Sequence, residues 1–546
     1  MGRPKSSASG ASKRVKKDPE RVPTVGSKDL ASNPKKTRVA KEARISRTAA
    51  SPPTTSGSAA KRKRAQSEEP ITADTTSSNK RPRTGRTQKG QAKGRSAKPQ
   101  ESEQLAPPPV LNKVPEEILT ILVFGGGENG ELGLGPKRNE ALRPVLNPFL
   151  DPSSPTAYHI VDFACGGMHT VALSAGNQII TWGVNDNKAL GRNTDWDGGL
   201  RDVDADSDDE DDENLNPLES TPTEIPAEHF TPGTRFAQVA AGDSCSFALT
   251  DTGLVYGWGT FRNSQGNNCF GYDTDGEIIT TQATPVQIRG LPKITQIVCG
   301  SNHALALDTK GSIWAWGWNE QNQFGRHLFG RQQDSFVPSQ VRVCRGNVKY
   351  IASGEYHSFA IDRQDNVWAW GANSYGEAGD PETAGSDSAV LRAPVKIRHL
   401  CKKGVTTLAG GAHHSAAVTA EGQCLVWGRI DAGQLGVAFT PEQIQDENHI
   451  RCDDRGKPRI CLRPTAVPTV EQAVHVACGT DHTIFINKSG AAYSSGFGFQ
   501  GQLGLASNDD VEVATLIGGK AIKSSVLIRA GAGGNVSVVA GFAESD

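Results

Sequence analysis

Histidine ends a short glycine-containing cluster that recurs along this chain, and imidazole is a side chain well suited to bind metal ions or transfer protons near neutral pH. Seven copies of the cluster are found, at 165–169, 241–245, 299–303, 353–357, 410–414, 478–482 and, in degenerate form, 530–534. Five copies end in histidine. With one histidine per repeat, four imidazoles cannot easily converge tetrahedrally. We therefore predict no metal site. We interpret the histidines as structural residues whose ring nitrogens form hydrogen bonds with backbone groups at tight glycine turns.

Other patterns of catalytic residues are missing from the sequence. No Ser, His and Asp arrangement is identifiable, and no phosphate-binding G-x-x-x-x-G-K-[ST] motif occurs. The ten cysteines form no C-x-x-C pair, and several lie in apolar runs, which fits free thiols in a reducing compartment. No run of 18 apolar residues is present. We therefore expect no covalent chemistry, no cofactor, no small-molecule substrate and no membrane partner.

A second set of landmarks keeps a fixed distance from the clusters. A glycine, usually preceded by Trp, follows each complete cluster by fourteen residues: Gly183, Gly259, Gly317, Gly371, Gly428 and Gly496. Another glycine normally follows eight residues later: Gly191, Gly325, Gly379, Gly436 and Gly504. β-forming runs separated by short Gly, Asp and Asn turns connect the landmarks. Four short strands in about 50 residues are typical of a propeller blade, so the sequence predicts an all-β, seven-bladed β-propeller.

The order of strands predicts which loops share a face. We expect the strand after each cluster to begin a blade and the strand before the next cluster to end it. Because four antiparallel strands alternate in direction, the cluster loop and the loop after Trp-Gly should then lie on the same face. The last repeat stops near Gly541 without a Trp-Gly landmark, whereas Phe124-Gly125 and Leu132-Gly133 supply one at the start of the domain. We expect both chain ends to build the last blade, which removes the free sheet edge.

The second repeat departs from this spacing. From Gly259 the next matching glycine is Gly271, twelve residues on instead of eight, so four extra residues should project from the face within 260–270. A tolerated surface insertion and a functional loop are equally compatible with the residues alone.

The repeats over residues 120–541 resemble those of the regulator of chromosome condensation family, the exchange factors for the small GTPase Ran, as found in fungi. Close similarity is carried by Gly166–Val171, Ala241–Ser244 and Gly259–Arg262. The resemblance implies a guanine nucleotide exchange factor that stabilises nucleotide-free Ran through a wedge loop in the second blade. The implied GTPase-contacting residues are Glu128, Asp243, Phe261, Arg262, Asn263, Ser264, Gln265, Gly266, Asn302 and either His413 or His414. Asn302 departs from the animal pattern, which has Asp there.

Charge is distributed unevenly along the chain. Residues 1–100 hold 26 Lys and Arg against 7 Asp and Glu, and the remainder holds 33 against 53. The first part lacks aromatic residues and should be a disordered basic arm. Its two basic clusters are predicted nuclear import or DNA contacts: Lys61, Arg62, Lys63 and Arg64, then Lys80, Arg81 and Arg83.

These features predict a basic arm over 1–115, a propeller over 116–546 and an acidic loop insertion over 195–220. The expected partners are Ran, and nucleosomes, histones and DNA through the arm, which places the protein on chromatin in the nucleus. The rival interpretation is a non-catalytic propeller that acts as a scaffold or adaptor for other proteins.

Overall fold

The structure, a computed structural model, describes residues 109–197, 214–326, 335–386, 389–523 and 525–543. The two basic clusters and the acidic run at 206–213 lie outside the described residues, so the assignments made for them, and the domain boundaries, stay predictions. Within the described ranges, the helices are too short and too polar to cross a bilayer.

Thirty-three strands and a few short helical turns make up the described chain. The first strands are β1 (Leu119–Gly126), β2 (Glu140–Leu146), β3 (Ile160–Cys165), β4 (His169–Ser174), β5 (Ile179–Gly183), β6 (Thr223–Glu224), β7 (Phe236–Ala241), β8 (Cys245–Thr250), β9 (Val255–Gly259), β10 (Phe261–Arg262), β11 (Asn268–Cys269), β12 (Gly271–Tyr272), β13 (Ile278–Ile279) and β14 (Gln282–Gln287). They are followed by β15 (Ile294–Cys299), β16 (His303–Asp308), β17 (Ile313–Gly317), β18 (Ser339–Val341), β19 (Val348–Ser353), β20 (His357–Asp362), β21 (Val367–Ala372), β22 (Val390–Lys396), β23 (Val405–Gly410), β24 (His414–Thr419) and β25 (Cys424–Arg429). The last are β26 (Ile450–Cys452), β27 (Pro458–Ala466), β28 (Ala473–Cys478), β29 (His482–Asn487), β30 (Ala492–Gly496), β31 (Val511–Leu516), β32 (Leu527–Ala532) and β33 (Val536–Phe542). The helices are α1 (Pro217–Ser220), α2 (Pro441–Gln445) and α3 (Lys520–Lys523), with a 3-10 turn at Ala227–His229.

The described strands form seven antiparallel sheets of four or five strands, which confirms the predicted seven-bladed propeller, and two additional two-stranded hairpins, β10-β11 and β12-β13. Blades 1 to 6, from the inside outward, are β3-β4-β5-β6, β7-β8-β9-β14, β15-β16-β17-β18, β19-β20-β21-β22, β23-β24-β25-β27-β26 and β28-β29-β30-β31. The predicted blade boundary was off by one strand, because the strand before each cluster is the innermost strand of the same sheet. The cluster is thus a hairpin loop within a blade. The shared face is nevertheless as predicted, since His169 at the start of β4 pairs with Gly183 at the end of β5.

Blade 7 joins the two ends of the domain. Its order is β32-β33-β1-β2, and β1 pairs with β33 from Leu119↔Phe542 to Gly125↔Val536. Every innermost strand therefore has neighbours on both sides of the ring, as the repeat pattern predicted.

Each cluster histidine bridges to the next blade rather than to its own turn. The pairs between Nε2 and a hydroxyl oxygen are His169–Ser246 (2.8 Å), His303–Ser358 (3.0 Å), His357–Ser415 (2.7 Å), His414–Thr483 (2.9 Å) and His482–Ser537 (2.8 Å). Each hydroxyl gives its own hydrogen to a backbone carbonyl, for example Ser246 Oγ to Ala189 O at 2.8 Å. The imidazole must therefore donate, as a neutral Nε2–H tautomer. The sequence predicted hydrogen bonds from these imidazoles to backbone groups of the glycine turns, whereas their Nε2 atoms bond to side-chain hydroxyls of the next blade.

The core between the blades is built around the Trp residues that precede the landmark glycines. Trp182, Trp258, Trp316, Trp370 and Trp427 are all fully buried. The second landmark glycine of one blade lies against the indole of the next, as Gly191 does against Trp258. A Cβ at Gly191 would come within 2.8 Å of that ring, and its φ of +67° also favours glycine. The repeat spacing thus encodes contacts between blades as well as turns.

Candidate functional site

Blade 2 replaces the usual turn after Trp-Gly with two consecutive β-hairpins. The first pairs Phe261 with Cys269 and Arg262 with Asn268, and the second pairs β12 with β13. The prediction of Gly271 as the displaced landmark glycine is wrong. Gly271 lacks the positive φ of the true landmarks, and a Cβ there would meet nothing within 4 Å. The insertion is therefore larger than four residues.

The first hairpin leaves the cluster face at the end of β9, and its tip faces solvent. Arg262, Ser264, Gln265 and Gly266 are exposed. Asn263 Oδ1 accepts hydrogen bonds from the backbone N–H groups of Gln265 (3.1 Å) and Asn267 (2.7 Å), which fixes the turn. The tip is therefore a defined, polar projection.

Blade 3 holds this hairpin through three side chains. Asn302 Oδ1 accepts from the Arg262 N–H at 2.7 Å. The Glu320 carboxylate accepts from both the backbone N–H and the hydroxyl of Ser264, each at 2.9 Å. Trp318 Nε1 donates to Phe261 O at 3.0 Å. Because these bonds fix both the root and the tip, the hairpin is positioned before any partner binds.

Phe261 is not a contact residue of this surface, contrary to the expectation for it. Its side chain has no exposed area and stacks on Phe247 and Phe270, with ring centroids 6.2 and 6.3 Å apart. A side chain buried among close-packed rings cannot move freely, so Phe261 anchors the root of the hairpin.

Most of the other predicted residues surround one cavity of about 450 Å³ on the cluster face. Its lining includes Asp243, Arg262, Asn263, Ser264, Asn302 and His413. It also includes Trp318, Glu320, Tyr356 and Glu377, which were not predicted. Enclosure at the mouth of the ring raises the pKa of the Asp243 carboxyl, although the side chain keeps contact with solvent, and Arg262 partly opposes this shift.

The structure distinguishes the two neighbouring histidines. His414 is fully buried in the ring of bonds between blades, so it is a structural residue and the expectation of a GTPase contact is wrong for it. His413 is partly exposed, and its Nδ1 lies 3.6 Å from Glu377 Oε1. The Tyr375 ring lies 4.8 Å from the imidazole, between centroids. His413 is therefore the member of the pair that a partner could touch.

Glu128 stands apart from the cavity. It is exposed in the loop after β1, and the pairing of Gly125 with Val536 places that loop at the cluster end of blade 7. Glu131 fixes the loop by accepting the Asn129 N–H at 2.8 Å. Glu128 thus shares the face with the hairpin but not its cavity.

One of the unpredicted lining residues carried a signal in the sequence. Trp318 lies outside the repeat positions of Trp, and it bonds the hairpin. Glu377 carried none, because its carboxylate accepts the Tyr375 N–H at 2.7 Å, as the side chain at the same repeat position does in four other blades. Glu320 gave no such signal, because its role depends on contact with a loop 56 residues away.

The cavity and hairpin form a binding surface, and the chain has relatives that carry the same fold. A family profile described as the RCC1-like domain matches residues 120–539. Protein pim1 of Schizosaccharomyces pombe is 37% identical over 79% of this chain and 77% of its own length. The guanine nucleotide exchange factor SRM1 of Saccharomyces cerevisiae is 38% identical over 78% of this chain and 88% of its own.

The crystal structure of Prp20p from Saccharomyces cerevisiae, described with its binding properties to Gsp1p and histones, is 36% identical with a TM-score of 0.69. The similarity covers 80% of this chain and 94% of that one. The resemblance drawn from the repeats is thereby confirmed, and this chain belongs to the RCC1-like domain family.

Proposed function

We propose that this protein is a guanine nucleotide exchange factor for a Ran-type small GTPase. The observation that carries the proposal is the convergence of the blade 2 hairpin with Asp243, Asn302 and His413 around one cavity. The relative named an exchange factor supports the same activity. The rival function, a scaffold without exchange activity, would not require a hairpin clamped in one position.

Exchange on this surface proceeds by differential binding rather than by covalent chemistry. A small GTPase holds its nucleotide through a phosphate-binding loop, a lysine and Mg²⁺. A rigid hairpin that fits the GTPase better when this loop is displaced binds the empty state more tightly. By linkage, it must weaken nucleotide binding to the same extent. Arg262 and the exposed tip from Ser264 to Gly266 are the groups that reach the partner.

We further propose that the protein works on chromatin in the nucleus. The basic clusters at 61–64 and 80–83 supply phosphate contacts and import signals. A similar protein, Prp20p, is described as binding histones, which supports the same partner for this chain.

The proposal is tested by release of a fluorescent GDP analogue from purified Ran. Residues 263–267 are replaced by Asn-Gly, a two-residue turn that keeps the strand pairing. The second hairpin offers a matched control, because Asp273 Oδ1 accepts from the N–H groups of Asp275 and Glu277 in the same geometry. We expect intact protein and the variant shortened at 273–277 to accelerate release, and the variant shortened at 263–267 to lose acceleration. Equal affinity of the intact protein for loaded and empty Ran, with no acceleration, would favour the scaffold.

A further inference from the structure

Blade 6 presents two exposed phenylalanine rings on the cluster face. Phe497 follows the landmark Gly496, and its N–H donates to Asp481 O of the cluster at 2.9 Å, which places it at that face. Phe499 stands two residues further on, and the two rings are stacked with their centroids 6.3 Å apart. Phe499 is 65% exposed, more than any other Phe or Trp side chain of the described residues, and Phe497 is 38% exposed. The turn therefore offers an apolar projection to a partner.

Comparison with the other blades shows that an aromatic residue is an exception at this position. The third residue after the first landmark glycine is polar in the five other blades with regular spacing: Glu128, Asp186, Glu320, Ser374 and Asp431. Four of these five side chains are exposed, as Phe499 is. The turn thus folds with a polar residue there, so the ring is not required by the fold. A departure of this kind on a loop indicates a local function.

The turn that carries the rings is fixed before a partner binds. The Gly498 N–H donates to Asp510 Oδ1 at 3.0 Å, and the Gln500 N–H donates to Gln502 Oε1 at 2.9 Å. A Cβ at Gly498 would clash with the carbonyl of Asp509, so the backbone of the turn packs directly on the segment before β31. Rings held on a rigid turn lose little entropy on binding, which suits them to the centre of a contact.

Direct contacts join the aromatic pair to the cavity of about 450 Å³ on the same face. Asp481, which accepts the Phe497 N–H, lies 3.5 Å from Arg429 Nη1, between its Oδ1 and that nitrogen. The Arg429 guanidinium lies over the Tyr375 ring, 5.3 Å from its centroid. Tyr375 in turn contacts His413, which lines the cavity. The pair and the cavity are therefore parts of one continuous surface.

The charges around the rings indicate the chemistry of the partner. Asp509 and Asp510 are exposed in the segment on which the turn packs, and Asp481 lies at the root of the turn. Exposed stacked rings can hold the bases of a single nucleic-acid strand when basic groups accompany them. Carboxylates repel phosphates instead, so these rings suit an apolar patch of a protein that is bordered by basic side chains.

We propose that Phe497 and Phe499 anchor the GTPase through such an apolar patch, away from the part that the blade 2 hairpin displaces. The identity of this partner rests on the proposed function. Blades 2 and 6 lie across the ring from each other, so the rings contact the GTPase whether or not its nucleotide is bound. Contacts made equally in both states strengthen binding and leave the maximal exchange rate unchanged.

The test compares Phe499→Ser with the intact chain. Serine stands at this position in blade 4, so the turn and the melting temperature should be preserved. Affinity for nucleotide-free and for GDP-loaded Ran is measured by interferometry, and KM and kcat of GDP release by fluorescence. We expect both affinities to fall by the same factor, at least about tenfold, and KM to rise with kcat unchanged. Phe499→Trp keeps an aromatic ring and should bind as the intact chain does.

Phe542→Ser is the matched control. Its ring is 51% exposed, and its pairing with Leu119 places it at the end of blade 7 opposite the cluster face, so affinity and KM should not change. Unchanged affinity of Phe499→Ser for Ran would overturn the inference, and loss of its affinity for single-stranded DNA would assign the rings to nucleic acid. An intact chain that binds Ran without accelerating release, and binds it more weakly as Phe499→Ser, would refute the exchange function but support the anchor.

Discussion

Acidification should destabilise the propeller through the five histidines that bridge its blades. Burial lowers the pKa of His303, His357, His414 and His482 to about 3, and of His169 to about 4, from the ordinary value of 6.5. Because the folded-state values are depressed, this contribution to stability is complete above pH 6.5 and is lost as the pH falls toward them. The unfolded chain takes up protons in that window and the folded chain does not.

The size of the effect follows from the same values. At pH 5.5 each imidazole of the unfolded chain is about nine-tenths protonated, which costs the folded state about 1.4 kcal/mol per histidine. Five histidines together give about 7 kcal/mol, comparable to the whole stability of a typical domain. Burial raises the pKa of Asp243 and Glu355, so these carboxyls oppose the loss when they become protonated.

Urea unfolding between pH 7.5 and 5.5 measures this dependence. His357→Gln should reduce the slope of unfolding free energy against pH by about 1.2 kcal/mol per pH unit near pH 5.5. This is the contribution of the one imidazole that, about nine-tenths protonated in the unfolded chain, no longer takes up a proton on unfolding. Thr170→Val is the matched control at the junction of blades 7 and 1. There Val536 takes the place of the bridging histidine, because it pairs with Gly125 as His169 pairs with Gly183. This position lies two residues beyond the copy predicted at 530–534, which is a correction to that prediction. Thr170→Val should leave the slope unchanged. A stability that stays constant from pH 7.5 to 5.5 would refute the reasoning.

Three further outcomes are expected. Glu320→Ala should lower exchange efficiency on Ran about tenfold by freeing the hairpin tip, with little change in melting temperature; exchange at the full rate would show that the clamp is dispensable. Gly191→Ala should destabilise the fold by about 2 to 3 kcal/mol, whereas Gly271→Ala should be nearly neutral; urea unfolding compares the two. Deletion of residues 1–108 should weaken DNA binding and flatten its salt dependence while sparing exchange; unchanged DNA affinity in a binding titration would remove the arm from that role.

The sequence determined the number of blades, the closure of the ring and the shared face, because these follow from identical local units at fixed spacing. Seven clusters and their Trp-Gly partners are enough to count blades. The truncated last repeat, together with Phe124-Gly125, is enough to close them. The altered spacing after Gly259 also directed attention to blade 2, where the structure has two hairpins, although Phe261 at their root is buried.

Only the tertiary structure decided which side chains the surface presents. Phe261 and His414 are buried because neighbouring blades need an apolar anchor and a donor at those positions, and spacing along one chain segment cannot reveal that need. Glu320 reaches Ser264, and Trp318 reaches the Phe261 carbonyl, through contacts between segments far apart in sequence. The repeated sequence determines the strands and turns of each blade. Packing between blades determines which residues of a segment that departs from the repeat are buried and which are exposed.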